Sequence, residues 1–191
     1  MSALVIGLGN PGGEYRGTRH NAGWLALDQL ESRGRFGRER REGPAKVREG
    51  AVDGYEVVTA RPQTYMNVSG RAAVHLLRKY GLPAEDLIVV HDEVDLPLGR
   101  IRLKRGGGAA GQKGVLSIAD SLRTQDFMRV RIGVSRPPDR DQMIDYVLDR
   151  FTPEERERLA AILPRAADAV MALVRDGLES AMTEYNRAPD N

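Results

Sequence analysis

Two short, fully apolar runs, Ala3 to Ile6 and "LIVV" at 87 to 90, constrain this chain more than any other feature. Runs without a polar face read as buried strands, and such strands belong to sheets covered by helices. The segments between them agree. A helix carrying Trp24, Leu25, Leu27 and Leu30 follows the first run, and another is predicted from about Asn67 to Tyr80, ended by Gly81 and Pro83. "AVDGYEVVTA" (51 to 60) fits a hairpin turning at Asp53-Gly54, "GRIRLKR" (99 to 105) alternates like a strand, and "FMRVRIGV" (127 to 134) is another strand. "GGGAAGQKG" (106 to 114) leads into a helix ending at Leu122. From Asp139 the pattern is helical, broken near Phe151, with Thr152 as N-cap before Pro153.

Strands alternating with helices predict one α/β domain over residues 1–191: a sandwich of a mostly parallel or mixed twisted sheet with helices on both faces. The tail from about residue 187 is expected to be disordered. "RGRFGRERREGPAKVREG" (33 to 50) reads as an exposed loop or irregular hairpin. Sites in such sheets gather beyond the carboxyl ends of strands. That rule would bring the glycine loop after Ile6, the His91-Asp92-Glu93 segment and the loop after Arg105 to one rim.

A length of 191 residues with 41% apolar content suits a single sizeable core. No apolar stretch approaches the roughly 18 to 20 residues that span a bilayer, and no basic-then-apolar leader opens the chain. With no cysteine there are no disulfides, thiolate metal sites or cysteine nucleophiles. A soluble cytoplasmic chain is expected. Net charge is +2, yet residues 100 to 131 hold eight Lys/Arg against Asp120 and Asp126, while 132 to 191 carry −4. This asymmetry suggests a polyanion on one face, with a solvated charged surface as the competing reading.

Gly7, Gly9 and Gly12 spell a dinucleotide fingerprint, G-x-G-x-x-G, directly after the first strand. A pyrophosphate site requires a helix to begin within those glycines. Pro11 removes one of the amides, "GGEYRGT" makes a poor first turn, and apolar periodicity starts only near Ala22. No strand ending in an acidic residue follows at the required distance. Nucleotide binding is therefore not expected.

The same loop carries Asn10, Tyr15, Arg19, His20 and Asn21. Among the three histidines, His75 lies off the apolar stripe of its helix and reads as solvated, and His91 reads as structural or orienting. His20 stands between a glycine loop and a helix, where a capping or packing role competes with chemistry. Asp92, a strand-end carboxylate, is the kind of group that orients a catalytic imidazole. Such a pair can hydrolyse an ester by drawing a proton from water, and neutral amides such as Asn10 and Asn67 can hold a carbonyl or the water. Taken alone, Asn67 is also a good helix N-cap.

Together, "GLGNPGGEYRGTRHNAGW" (7 to 24), "RPQTYMNVSG" (61 to 70), "VVHDEVDLPLGRIRLKRGGG" (89 to 108) and "RVRIGVSRP" (129 to 137) resemble the bacterial-type peptidyl-tRNA hydrolases, in order and over nearly the whole chain. The resemblance implies a monomer without metal or nucleotide cofactor that cuts the ester joining peptide to tRNA. By that resemblance His20 is the general base, Asp92 orients it, and Asn10 and Asn67 hold the peptide and the acceptor end of the tRNA. Tyr15 and Tyr65 would line the groove for the 3′ end, and Lys104 and Arg131 would grip the 5′ phosphate.

One segment departs from the family. Its usual His-Gly-Gly-His-Asn is here Ala109-Ala110-Gly111-Gln112-Lys113, so a substrate-contacting asparagine falls on Lys113 and a gate histidine on Gln112. An ammonium only donates, so altered substrate grip with retained activity is expected. A catalytically altered RNA-binding relative, serving splicing or assembly, is the alternative. A general small-ester hydrolase is a third reading.

Overall fold

The computed structural model describes residues 3–187, and the expected disordered tail lies, past Arg187, outside the described residues. The strands are β1 (Ala3–Gly7), β2 (Arg35–Phe36), β3 (Arg40–Glu42), β4 (Ala45–Val52), β5 (Tyr55–Pro62), β6 (Leu87–Glu93), β7 (Ile101–Arg105) and β8 (Met128–Gly133). They form one mixed sheet in the order β2-β4-β5-β1-β6-β8-β7, with β3 also on β4. The centre, β5-β1-β6-β8, is parallel, and the flanking pairs are antiparallel.

Side-chain alternation explains the two apolar runs. Ala3, Val5, Ile88 and Val90 enter the core under α1 (Ala22–Ser32), α5 (Pro153–Asp176) and α6 (Leu178–Tyr185). Leu4, Ile6, Leu87 and Val89 enter a second core under α2 (Gly70–Tyr80) and α3 (Lys113–Leu122). A strand with helices on both sides has no face left for polar residues. At β7 and β8 only one face is apolar (Ile101, Leu103, Val130, Ile132), and the other carries Arg102, Lys104, Arg129 and Arg131. The remaining helix, α4 (Met143–Leu148), is short, and α5 opens with the expected Thr152 capping box and Pro153.

One expectation is narrowed and another needs correction. Of the two readings of the 33 to 50 segment the hairpin holds and the loop does not: β3 and β4 pair antiparallel across Gly43-Pro44, and with β2 they extend the sheet edge beside β5. Its charge is locally matched, with Arg40 and Glu49 at 2.5 Å and Lys46 and Glu39 at 3.0 Å. Antiparallel pairing across the Asp53-Gly54 turn, both residues at positive φ, extends the expected hairpin to 45–62. In addition, β7 runs antiparallel to β8, so Arg105 faces Met128 and the following loop leaves from the rim opposite the ends of β1 and β6. Only the far end of that loop returns to the first rim, because Arg129 donates to the carbonyls of Gly106 (2.7 Å) and Gly108 (3.1 Å) and lays it across the sheet.

The glycines after β1 serve packing. A Cβ on Gly7 would stand 2.7 Å from the Gly23 carbonyl oxygen, and one on Gly23 would meet the backbone of both Val90 and Leu8. The helix therefore begins pressed against two strands, which places the residues just before it at the rim. Gly23→Ala is expected to destabilise by about 3 kcal/mol, because the opposing atoms are backbone that cannot turn aside. Urea denaturation measures this, and wild-type stability in the variant would show that α1 tolerates displacement.

Candidate active site

Loops leaving the ends of β1, β5, β6 and β8 enclose a cavity of about 480 Å³. Asn10, His20, Tyr65, Asn67, Asp92 and Lys113 line it. His20 lies in a single 3-10 turn, Arg19–Asn21, immediately before α1. Its Nδ1 is 2.8 Å from Oδ2 of Asp92, whose side chain is only 2% exposed. The ring's Nε2 makes no hydrogen bond among the described residues and belongs to a side chain facing the cavity.

Burial alone would lower the His20 pKa, and the nearby Lys113 charge acts in the same sense. The charge of Asp92 and its hydrogen bond outweigh both, holding His20 above the ordinary imidazole value. When the ring is neutral, Nδ1–H donates to the carboxylate and Nε2 is left open as a base strengthened by its partner. That is the arrangement needed to take a proton from water.

The turn holding His20 is tied down on both sides. Asn21 accepts from the backbone N–H of Asn10 (2.9 Å) and donates to its carbonyl (3.0 Å). Buried Arg19 donates to the Tyr146 carbonyl (2.8 Å), pairs with Glu155 (2.8 Å) and lies 4.1 Å from the centre of the Tyr146 ring. Arg19 thus joins the turn to α4 and to the start of α5. The outward side of α4 (Met143, Ile144, Val147, Leu148) gives the cavity an apolar wall, on which Ile144 is 60% exposed.

Asn10 is buried, and its Oδ1 accepts from the Met66 N–H at 2.7 Å. That leaves its Nδ2 group for the cavity. Asn67 is not a helix cap, since α2 starts at Gly70 behind Ser69; it sits exposed in the 3-10 turn Met66–Val68. Tyr65, 64% exposed, stands at the cavity's lip. Tyr15 is not part of the lining. Lys104 and Arg131 also lie off the cavity, on the polar face of β7 and β8. Arg131 pairs with Glu93 at 3.1 Å, and Lys104 has no ion-pair partner among the described residues. Its pKa is lowered by burial and by the charges of Arg129 and Arg131.

Of the other histidines, His91 is fully buried, donates from Nδ1 to the Asp92 carbonyl (2.7 Å), and is pushed by burial to a pKa of about 4, which makes it a neutral structural ring. His75 is not simply solvated but bonds Glu42 of β3 at 3.0 Å. Sequence reasoning missed the apolar wall of α4 and the loop-holding role of Arg129. Met143, Ile144 and Val147 recur at helical spacing, a signal that was available; Arg129 offered none beyond its charge.

Comparison with known proteins is consistent over the whole length. The peptidyl-tRNA hydrolase family model matches residues 4–191. The chain is 48% identical to a peptidyl-tRNA hydrolase of Nocardia farcinica, covering 96% of each chain, and 44% identical to one of Geotalea daltonii, covering 96% of this chain and 95% of that one. A crystal structure of peptidyl-tRNA hydrolase from Acinetobacter baumannii is similar at a TM-score of 0.90 and 33% identity, over 96% of this chain and 94% of that chain.

Proposed function

The chain belongs to the peptidyl-tRNA hydrolase family, and we propose that His20 and Asp92 perform the hydrolysis on which that family's name rests. In this reading the substrate's ester enters the cavity beside His20. Nε2 takes a proton from water, the resulting hydroxide adds to the carbonyl carbon, and Asp92 stabilises the imidazolium. Collapse of the tetrahedral intermediate breaks the acyl–oxygen bond, and His20 returns its proton to the departing ribose oxygen. The products are a free peptide carboxylate and a tRNA with a free 3′ end.

Asn10 is the side chain best prepared to steady the carbonyl, because its own oxygen is already committed to Met66. Asn67 and Tyr65 border the same space and suit the acceptor end of the RNA, where an aromatic face stacks on a base or ribose. The α4 wall suits apolar peptide side chains. Tyr15, off the cavity, serves the RNA beyond the ester. Lys104 and Arg131 take the 5′ phosphate on the polar face. The working unit in this reading is one chain, since a single copy supplies every group named, and its compartment is the cytoplasm.

The observation that carries the reading is the 2.8 Å contact of His20 and Asp92 inside a cavity with Nε2 open. Its test is release of the blocked amino acid from N-blocked aminoacyl-tRNA by the purified protein. Cleavage is expected to depend on the tRNA body, and efficient cleavage of simple esters with no tRNA preference would overturn the assignment. Lys104→Ala is expected to raise KM about tenfold, the worth of one charge-assisted contact, with little change in kcat. It should also make KM less sensitive to salt. A loss confined to kcat would remove Lys104 from the phosphate site.

A further inference from the structure

The geometry points to Gln112 as a positioning residue that holds the Asp92 carboxylate in line with His20. This rests on His20 being the base, as proposed above. Asp92 offers Oδ2 to His20 at 2.8 Å and receives the Gln112 Nε2–H on Oδ1 at 3.0 Å. A carboxylate held by one hydrogen bond can swing about its last torsion, which is broad. A donor on each oxygen fixes the plane.

Gln112 is itself fixed. Its Oε1 accepts from the Val115 N–H at 2.9 Å, capping the first turn of α3. The opposite amide orientation would set a carbonyl against the carboxylate and an NH2 group against a backbone N–H, leaving two repulsive contacts. Its Nε2 also lies 3.4 Å from Met66 Sδ, and the Met66 N–H is held by Asn10. Gln112 therefore joins α3, the end of β6 and the 65–68 turn at one buried point. Its Nε2 donors are directed to Asp92 and Met66 within the protein. The neighbouring Lys113 lines the same cavity.

The charged groups around His20 are Asp92 on its own side and Lys113, Glu93, Arg136 and Arg140 along the cavity wall. Of these, Asp92 is the one Gln112 touches. Withdrawing a donor from Oδ1 concentrates negative charge on the carboxylate, favours the imidazolium and raises the His20 titration midpoint. Gln112→Glu keeps the oxygen that caps Val115 but sets a second carboxyl against Asp92, a stronger change of the same sign.

The test is NMR titration of the ring signals, practical because the chain has three histidines. The His20 midpoint is expected to rise by about one unit in Gln112→Glu and by less in Gln112→Met. In the wild type, one Gln112 side-chain amide proton is expected to exchange slowly and to shift as His20 titrates. With substrate, the acid limb of kcat/KM should move upward with the ring, and kcat at neutral pH should fall about tenfold with KM little changed. A merely structural glutamine would lower the melting temperature and leave the midpoint where it was. An unmoved midpoint in either folded variant, or a wild-type amide signal flat through the titration, overturns the proposal. Failure of the underlying reading would show separately, as activity that survives His20→Ala, because the ring titration and the amide signal require no turnover.

Discussion

His20→Ala is expected to lower kcat by about 10²- to 10⁴-fold, the range a positioned general base contributes, while tRNA binding stays near wild type. Binding should persist because the cationic face at Lys104 and Arg131 lies on other strands, and the tyrosine at the cavity lip makes no hydrogen bond to the ring. The fold should tolerate the change. The turn is held by Arg19 to Tyr146 and Glu155 and by Asn21 to Asn10, and among the described residues the His20 ring bonds only Asp92. Single-turnover release from N-blocked aminoacyl-tRNA and a filter-binding titration together measure both quantities. Full release by the variant would remove His20 as the base, and tRNA binding with no release even by the wild type would favour the RNA-binding role.

Asp92→Asn is expected to cost about 10³- to 10⁴-fold in kcat, more than loss of charge alone explains. Gln112 presents an N–H to Oδ1, and its own orientation is set by Val115. An asparagine there turns its oxygen toward Gln112 and its NH2 toward His20 Nδ1. The imidazole must then carry its proton on Nε2, the nitrogen that has to accept one from water. The pH profile should change as well. In the wild type Asp92 outweighs burial and Lys113 and places the His20 pKa above its ordinary value, so activity rises as pH climbs through that raised value. Without the carboxylate, burial and Lys113 act unopposed, and the remaining acid limb moves to lower pH. A variant with wild-type turnover, or a limb displaced upward, would contradict the pairing.

Much of this was readable from residue order. Ala3–Ile6 and Leu87–Val90 announced strands covered on both sides, and alternation at β7 and β8 announced one polar face. Thr152-Pro153 marked a helix start, and Asp53-Gly54 a turn. These are local rules of side-chain period, capping and positive φ, and each is complete within a few residues. The 33 to 50 segment stays open between loop and hairpin because glycine and arginine resemble a solvated loop. Its own pairings, β3 on β4 and Arg40 with Glu49, were local, but the strand β5 that anchors β4 and the Glu31 that meets Arg48 lie outside the segment.

The chain alone determined which groups were available: one imidazole at the end of a glycine loop, one acid at a strand end, two amides and a cationic stripe. What the tertiary structure decided was direction. The antiparallel run of β7 sent its glycine loop to the wrong rim, and Arg129, binding that loop's carbonyls, returned its far end to Asp92. Gln112 became a support for the acid, Lys113 came to line the cavity, and Tyr15 fell outside it. Hydrogen bonds between residues 20 and 92, or 92 and 112, depend on strand order and loop path. Those are set by packing the whole sheet between its helices, and no window of neighbouring residues contains them.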